Sequence, residues 1–382
     1  MGVGRSKHMF IKLVGGTKMV KPNIQLSAMT VMNLCIALAV GLIAAPAIGQ
    51  EAGREFPLVF GNARIVETPT LANPLDGVVG PGGRVCVADF TESNVRCRER
   101  EGAAWITLGR RGDGPGEFRS PYRLAFTPRN QLWVWDFATQ EASLFDSTGR
   151  FISRHRLPYR FRQVDNLLAI GENDLLVAGV SSVASEMREH ALHIFRRGKL
   201  GDPLSVVRAF GRLPPAKVRQ KLEQWGAGNA TWSSRGTIYH SLRVPYEISE
   251  YGLEGALVRR IEGPVLLGVG PDRAVYMTEA NDEVTIGRSE SETIVYPLRA
   301  YDVGTAWILT GRRTSPPKAP GEIHWDLLDR RTGKLVASST PRAGLKGLTL
   351  FGFDASSWTM WGFGDSQGED VIMTVKVEPR NR

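Results

Sequence analysis

Cysteine is scarce, with three residues in 382, and one of them, Cys35, lies in a segment that reads as a leader. Its removal leaves Cys86 and Cys97, so the mature chain can form one internal disulfide and no more. The mature histidines are His155, His190, His193, His240 and His324, and no two stand at a metal-ligand spacing. His190 and His193 are three apart where a strand is expected, which puts them on opposite faces and argues against zinc. Helical periodicity is nearly absent, which excludes a helical bundle. The longest apolar run, Leu34 to Ala45, falls short of the roughly 20 residues that span a bilayer. Charge of one sign is also lacking. The chain carries 48 basic and 39 acidic residues, and its first 49 positions hold five of the basic and none of the acidic ones, which leaves 43 against 39 and a net charge of +4. No basic stripe with interleaved aromatics occurs, and Arg96-Cys97-Arg98-Glu99-Arg100 alternates in sign, so nucleic acid is not an expected partner.

What the chain does have is self-similarity. Val79 to Phe90 aligns with Phe126 to Phe137 at an offset of 47 residues, sharing the proline, the apolar alternation and a terminal Asp-Phe. A fixed period of this size means a repeat architecture. In the second copy, Leu124–Phe126, Leu132–Asp136, Ala142–Asp146 and Phe151–Arg154 are short apolar runs divided by turn residues, among them Asp146-Ser147-Thr148-Gly149. Four antiparallel strands in under 50 residues is the unit of a propeller blade. Fainter units follow at Asp174 to Phe195, Gly236 to Val258, Asp272 to Tyr276, Thr305 to Leu328 and Leu348 to Trp361. The sequence thus predicts an all-β propeller of four-stranded antiparallel blades, six or seven in number. The 42 glycines and 22 prolines suit so many turns.

The run Leu108 to Phe118, Leu-Gly-Arg-Arg-Gly-Asp-Gly-Pro-Gly-Glu-Phe, followed by Pro121 and a strand closing on Asp136, resembles the NHL-type repeat of bacterial six-bladed β-propeller proteins. In that family a Gly-Pro-Gly-Glu-Phe segment bridges one blade to the next. The resemblance implies a propeller with an exported lifestyle. It implies no single activity, since NHL-like propellers include lactonases, lyases and pure binding modules.

Residues 1–49 read as a secretory signal. Lys12, Lys18 and Lys21 precede the apolar run, and Ala47-Ile48-Gly49 offers small residues for cleavage before Gln50. Residues before Met19 read as a misassigned start, and an uncleaved membrane anchor is the alternative. Residues 50–382 then form a single propeller domain, periplasmic or extracellular and monomeric, with no stable membrane span after processing. One segment breaks its β rhythm. Pro214-Pro215 ahead of Ala216 to Trp225 and Gly226, with Val218, Leu222 and Trp225 on one face, predicts a short amphipathic helix near 214–226. It reads as a plug packed on the blades or as a lid beside the central mouth.

The two mature cysteines fall on neighbouring strands. Folding their hairpin so that Asp89 faces Asn94 sets Cys86 opposite Cys97, within disulfide reach. Candidate chemistry is thinner. Arg111, Asp113 and Glu117 in the interblade bridge, with Trp225, are the candidate binding residues. Asp113 and Glu117 could hold a hard cation, against the alternative that glycines supply positive φ while Glu117 caps or pairs with an arginine. Arg111-Gly112-Asp113 reads as a coincidental tripeptide. Asp89 and Asp136 recur at one blade position, which marks them as turn caps, because catalytic groups should be unique. No catalytic residue, metal site or cofactor is assigned. The sequence therefore reads as an exported, non-catalytic propeller that binds a protein, peptide or glycan at its loop face. The alternative is an NHL-like metal-dependent hydrolase or lyase with its site on the central axis. Finally, Phe56 to Val66 precedes the first repeat without belonging to it, and is expected to supply the outer strand of the last sheet beside the C-terminal strand.

Overall fold

The computed structural model describes residues 58–66, 70–100, 102–182, 186–213, 228–233, 236–242, 247–262 and, from 275 to 379, the strands with a few adjoining turns. The leader, its cleavage site and the 214–226 segment with Trp225 lie outside the described residues. Two short strands come first, β1 (Leu58–Phe60) and β2 (Arg64–Val66). The first blade is β3 (Pro74–Val79), β4 (Val85–Asp89), β5 (Asn94–Arg98) and β6 (Ile106–Leu108). The second is β7 (Pro121–Phe126), β8 (Leu132–Asp136), β9 (Glu141–Phe145) and β10 (Phe151–Arg156). The third is β11 (Phe161–Ala169), β12 (Asp174–Ser181), β13 (His190–Arg196) and β14 (Ser205–Arg212), and the fourth β15 (Asn229–Trp232), β16 (Ile238–Leu242), β17 (Glu247–Tyr251) and β18 (Leu257–Glu262). A two-stranded ladder, β19 (Val275–Ala280) with β20 (Glu283–Arg288), separates these from the fifth blade, β21 (Ile294–Asp302), β22 (Trp307–Ser315), β23 (Glu322–Asp329) and β24 (Leu335–Ser339). The last sheet holds β25 (Thr349–Asp354), β26 (Thr359–Ser366) and β27 (Glu369–Pro379), with β1 and β2 both paired to β27.

The blade count corrects the expectation. Among the described residues five blades of four consecutive strands are present, where six or seven were expected. The repeat opened by Asp272 to Tyr276 yields β19 and β20, which pair with each other alone among the described residues. The final unit is not self-contained, because its outer edge comes from the other end of the sequence.

That closure is the one expected of Phe56 to Val66. Leu58, Val59 and Phe60 pair with Pro379, Glu378 and Val377, while Arg64, Ile65 and Val66 pair with Thr374, Met373 and Ile372. Between them the Gly61 amide donates to the Lys376 carbonyl at 2.8 Å. An exposed edge on β27 is thereby covered.

Why the middle strands are near-continuous apolar runs follows from how the sheets stack. Every residue of β4 (VCVAD) and of β8 (LWVWD) is buried, because each blade has a neighbour on both faces. The period of two then deals alternate side chains to different neighbours. Val85 and Val87 pack with Leu71, Phe351, Trp361 and Ile372 of the closing side. Cys86 and Cys97 pack instead toward Phe118 of the following bridge and Leu132, Val134 and Phe145 of the second blade. Trp133, Trp135 and Leu144 continue onto Phe161, Leu175, Val177 and Phe195 of the third. The core is thus a series of interblade layers.

The register of the first hairpin is the one read from the sequence, with Asp89 opposite Asn94 and Cys86 opposite Cys97. The two cysteines form a disulfide, with Cα atoms 4.1 Å apart, and both are fully buried. Turn chemistry is local as well. In the hairpin between β9 and β10, Gly149 sits at φ +86°, where an L side chain would be strained, and Asp146 accepts from the backbone N–H groups of Thr148 and Arg150 at 2.9 Å each. Those bonds, led by the one from the Thr148 hydroxyl, hold the Asp146 carboxyl well below the usual range. Among the described residues no helix is long and apolar enough to cross a membrane.

Candidate functional site

The first strands of the sheets lie side by side in the order β25, β3, β7, β11, β15, β21, and so line the centre. Antiparallel blades give the molecule two different faces. Turns joining first to second and third to fourth strands emerge on one, here called the turn face. Turns joining second to third strands, and the bridges between blades, emerge on the other, the bridge face.

On the bridge face the recurring aspartates are structural caps. Asp89 accepts from the amides of Ala72 at 2.8 Å, Asn73 at 3.2 Å and Glu92 at 3.1 Å. Asp136 does the same for Arg119 at 2.7 Å and for Ser120, Ala138 and Thr139 at 3.0 Å each. Each carboxylate therefore ties its own hairpin turn to the chain entering the blade. The bridge from β6 to β7 holds three of the four candidate binding residues. Arg111 donates to the Thr91 carbonyl at 3.0 Å, and Asp113 pairs with Arg119, whose Nη2 lies 2.6 Å from Oδ2. Glu117 accepts from Arg110 Nε at 2.7 Å and from the Gly114 amide at 2.8 Å. The arginine pairing read as the alternative for Glu117 is thus formed. The Asp113 carboxyl is held below its ordinary range, first by the Arg119 hydrogen bond, and that of Glu117 first by Arg110. Arg154, from the outer strand of the second blade, reaches under the loop to the carbonyls of Asp113 at 2.9 Å, Gly114 at 2.7 Å and Glu117.

At the centre the structure assembles residues that sequence reasoning missed. Asp76, Asp165 and Asn166 lie on innermost strands and are nearly fully buried. Asp76 Oδ2 accepts from the Leu124 amide at 3.0 Å, tying the first blade to the second. Arg123 donates to the Asp165 carbonyl at 2.8 Å and the Leu75 carbonyl at 3.3 Å, so one guanidinium joins three blades. It also stacks over the Tyr122 ring, 3.9 Å from the centroid. Gln163 donates to Asp165 Oδ1 at 2.7 Å. A signal existed: Asp76 and Arg123 stand at the same 47-residue offset, each two places after a proline and at a register shift in its strand. Charge in an otherwise apolar strand at a bulge marks a side chain re-aimed toward a neighbouring blade.

Two histidines are also engaged. His155 Nδ1 lies 2.8 Å from the Asp202 carbonyl and so donates, which leaves Nε2 to accept from the Ser153 hydroxyl at 2.8 Å. His193 Nε2 donates to the His190 carbonyl at 3.0 Å, and Nδ1 accepts from the Tyr159 hydroxyl at 2.7 Å. Burial pulls the His193 pKa down to about 4 and pushes that of Tyr159 well up. His193 is therefore neutral at physiological pH and belongs to the core.

The turn face carries the clefts. Across the inner-strand ends of the first three blades runs an apolar groove of about 290 Å³, walled by Val78, Phe126, Leu167 and Leu168 and closed by Trp232 of the fourth blade. Trp232 is 38% exposed, unusual for so large a ring. A second, polar cleft of about 500 Å³ opens where the closing sheet meets the first blade. Neither contains Arg111, Asp113 or Glu117, which sit on the opposite face.

No protein-family model and no curated protein sequence matches the chain. Solved structures match its fold at low identity. A protein from Bacteroides fragilis NCTC 9343 described as exported is 12% identical with a TM-score of 0.54, over 85% of this chain and 96% of that one. A member of the DUF4221 family from Bacteroides vulgatus ATCC 8482 is 8% identical with a TM-score of 0.51, over 85% of this chain and 100% of that one. The WD40 repeats of RRP9 are 10% identical with a TM-score of 0.50, over 83% of this chain and 98% of that one. Such likeness carries the β-propeller fold and no activity.

Proposed function

We propose that this chain is an exported, non-catalytic propeller of NHL type that binds an extended protein or peptide segment on its turn face. The observation that carries this reading is the apolar groove over the inner-strand ends with Trp232 exposed at its rim. An aromatic anchor beside aliphatic walls is the composition of a protein-binding hot spot, and aliphatic walls give a glycan's hydroxyls nothing to bond. The bridge residues Arg111, Asp113 and Glu117 serve this reading as the scaffold that sets one blade against the next, and their exposed edges are a secondary contact on the opposite face. Export is supported by the apolar leader with its small-residue cleavage site and by the exported protein of like fold. The test is a 12-residue peptide array probed with the mature protein, its Trp232→Ser variant and, in parallel, a neutral glycan array. Peptides with paired apolar side chains should bind, and the variant should lose at least about 30-fold, as expected for an anchor worth roughly 2 kcal/mol. Equal binding by the variant, or capture of glycans alone, would overturn the reading. So would a stoichiometric, tightly held cation in the purified protein, which is what an axial metal-dependent hydrolase or lyase requires.

A further inference from the structure

The polar cleft at the closing seam is the least explained feature of the turn face. Its wall is set by strand register. Trp361 on β26 stands opposite Thr374 on β27, which stands opposite Arg64 on β2. Directly opposed residues share a face, so the three form one row. Thr359 opposite Lys376 forms a second row two residues along, on the same face. That face meets the first blade, since Trp361 packs with Val85 and Val87. From the first blade come Arg100, beyond the end of β5, and the turn at Gly82 and Gly83. Three segments far apart in sequence thus converge on one cleft.

Its charge is unbalanced. Arg64, Arg100 and Lys376 line it against a single carboxylate, Asp354. Asp354 is already occupied, accepting from the Ser356 and Ser357 hydroxyls at 2.6 Å each. Lys376 uses one N–H on the Ser357 carbonyl at 2.9 Å and has others to give. Arg64 and Arg100 are exposed and have no ion-pair partner among the described residues. Next to this wall the buried Arg98 guanidinium lies between Trp105 and Trp361, 5.3 and 5.9 Å from their ring centroids. Trp361 itself is 94% buried, so its ring walls the cleft with little exposed surface. The amide of Asn62 and the hydroxyl of Thr374 stand at the same wall without a partner among the described residues.

We propose that this cleft binds a sugar acid, a small hydroxylated carboxylate. The guanidinium groups of Arg64 and Arg100 take its carboxylate, and Lys376, Asn62 and Thr374 take its hydroxyls. About 500 Å³ is within the range of small-molecule sites. Guanidinium forks match a carboxylate's two oxygens better than an ammonium does, and the neutral donors account for a polyol. This site is separate from the groove at Trp232 and does not rest on the peptide-binding reading.

The experiment is calorimetric titration of the mature protein with D-glucuronate, its neutral methyl ester, D-glucose and acetate. Glucuronate should bind at least tenfold more tightly than each of the other three and should raise the melting temperature. Arg64→Gln and Arg100→Gln should each weaken it by tenfold or more while leaving the unliganded melting temperature within about 2 °C, since both side chains are exposed. Trp232→Ser should not change glucuronate binding, so failure of one site leaves the other testable. Glucuronate binding no tighter than glucose or acetate, or unaffected by both arginine variants, would overturn the proposal.

Discussion

Breaking the Cys86–Cys97 bond perturbs one interblade layer and leaves every strand in place, which makes its consequence calculable. The two residues are 11 apart in sequence, so the bond closes a loop of about a dozen residues. On the chain-entropy model such a closure is worth about 3 kcal/mol, through the freedom it removes from the unfolded chain. The unit that unfolds, Gly53–Arg382, gains roughly 0.7 kcal/mol/K of entropy at about 2.1 cal/mol/K per residue. The melting temperature should therefore drop by about 4 °C when the scan is run in a reductant that captures the unfolded thiols. Cys86→Ala with Cys97→Ala should melt lower still, because both sulfurs are fully buried against Val95, Leu108 and Phe118, and removing them leaves space the layer cannot fill. That double variant should not respond to reductant. Differential scanning calorimetry reads both effects, and alkylation of unfolded, unreduced protein with mass detection reads the bond itself. A wild-type melting temperature the same within about 1 °C in reductant would refute the entropic reasoning, and two freely alkylated thiols would refute the bond.

Two further outcomes are expected. Deleting residues 56–66 removes both strands paired to β27 and should lower the melting temperature and promote association through the freed edge; a truncated protein that stays monomeric in light scattering with unchanged melting would place the closure elsewhere. His193 has a folded pKa of about 4 against 6.5 unfolded, chiefly through burial, so as pH falls from about 6.5 to 4 the unfolded chain takes up a proton that the native one refuses, and stability falls by about 3 kcal/mol across that window. Melting curves from pH 7 to 4.5 should drop more steeply for the wild type than for His193→Gln, and parallel curves would mean that this histidine charges in place.

Much of the scaffold was legible because it is encoded over short distances. The 47-residue offset, the turn residues and a period of two are local patterns, and the hairpin between Asp89 and Asn94 carried the cysteine pairing with it. The caps at Asp89 and Asp136 were readable for the same reason: a carboxylate repeated at one blade position serves the turn beside it. Even the closure was legible, since an unassigned strand at one end and an unpaired alternating strand at the other have one economical solution. Blade number was not. It depends on which strands find partners around the ring, and the repeat at Asp272 to Tyr276 has the pattern of a blade opening but forms a two-stranded ladder among the described residues. Nor could the sequence say that Arg123 reaches carbonyls in two neighbouring blades, or that Arg111, Asp113 and Glu117 lie on the face away from the clefts. Arg64, Arg100 and Lys376 carry no local mark of belonging together. Period-two patterning decides which face of a strand a residue occupies, while only ring closure, bringing the last sheet against the first, decides what that face meets.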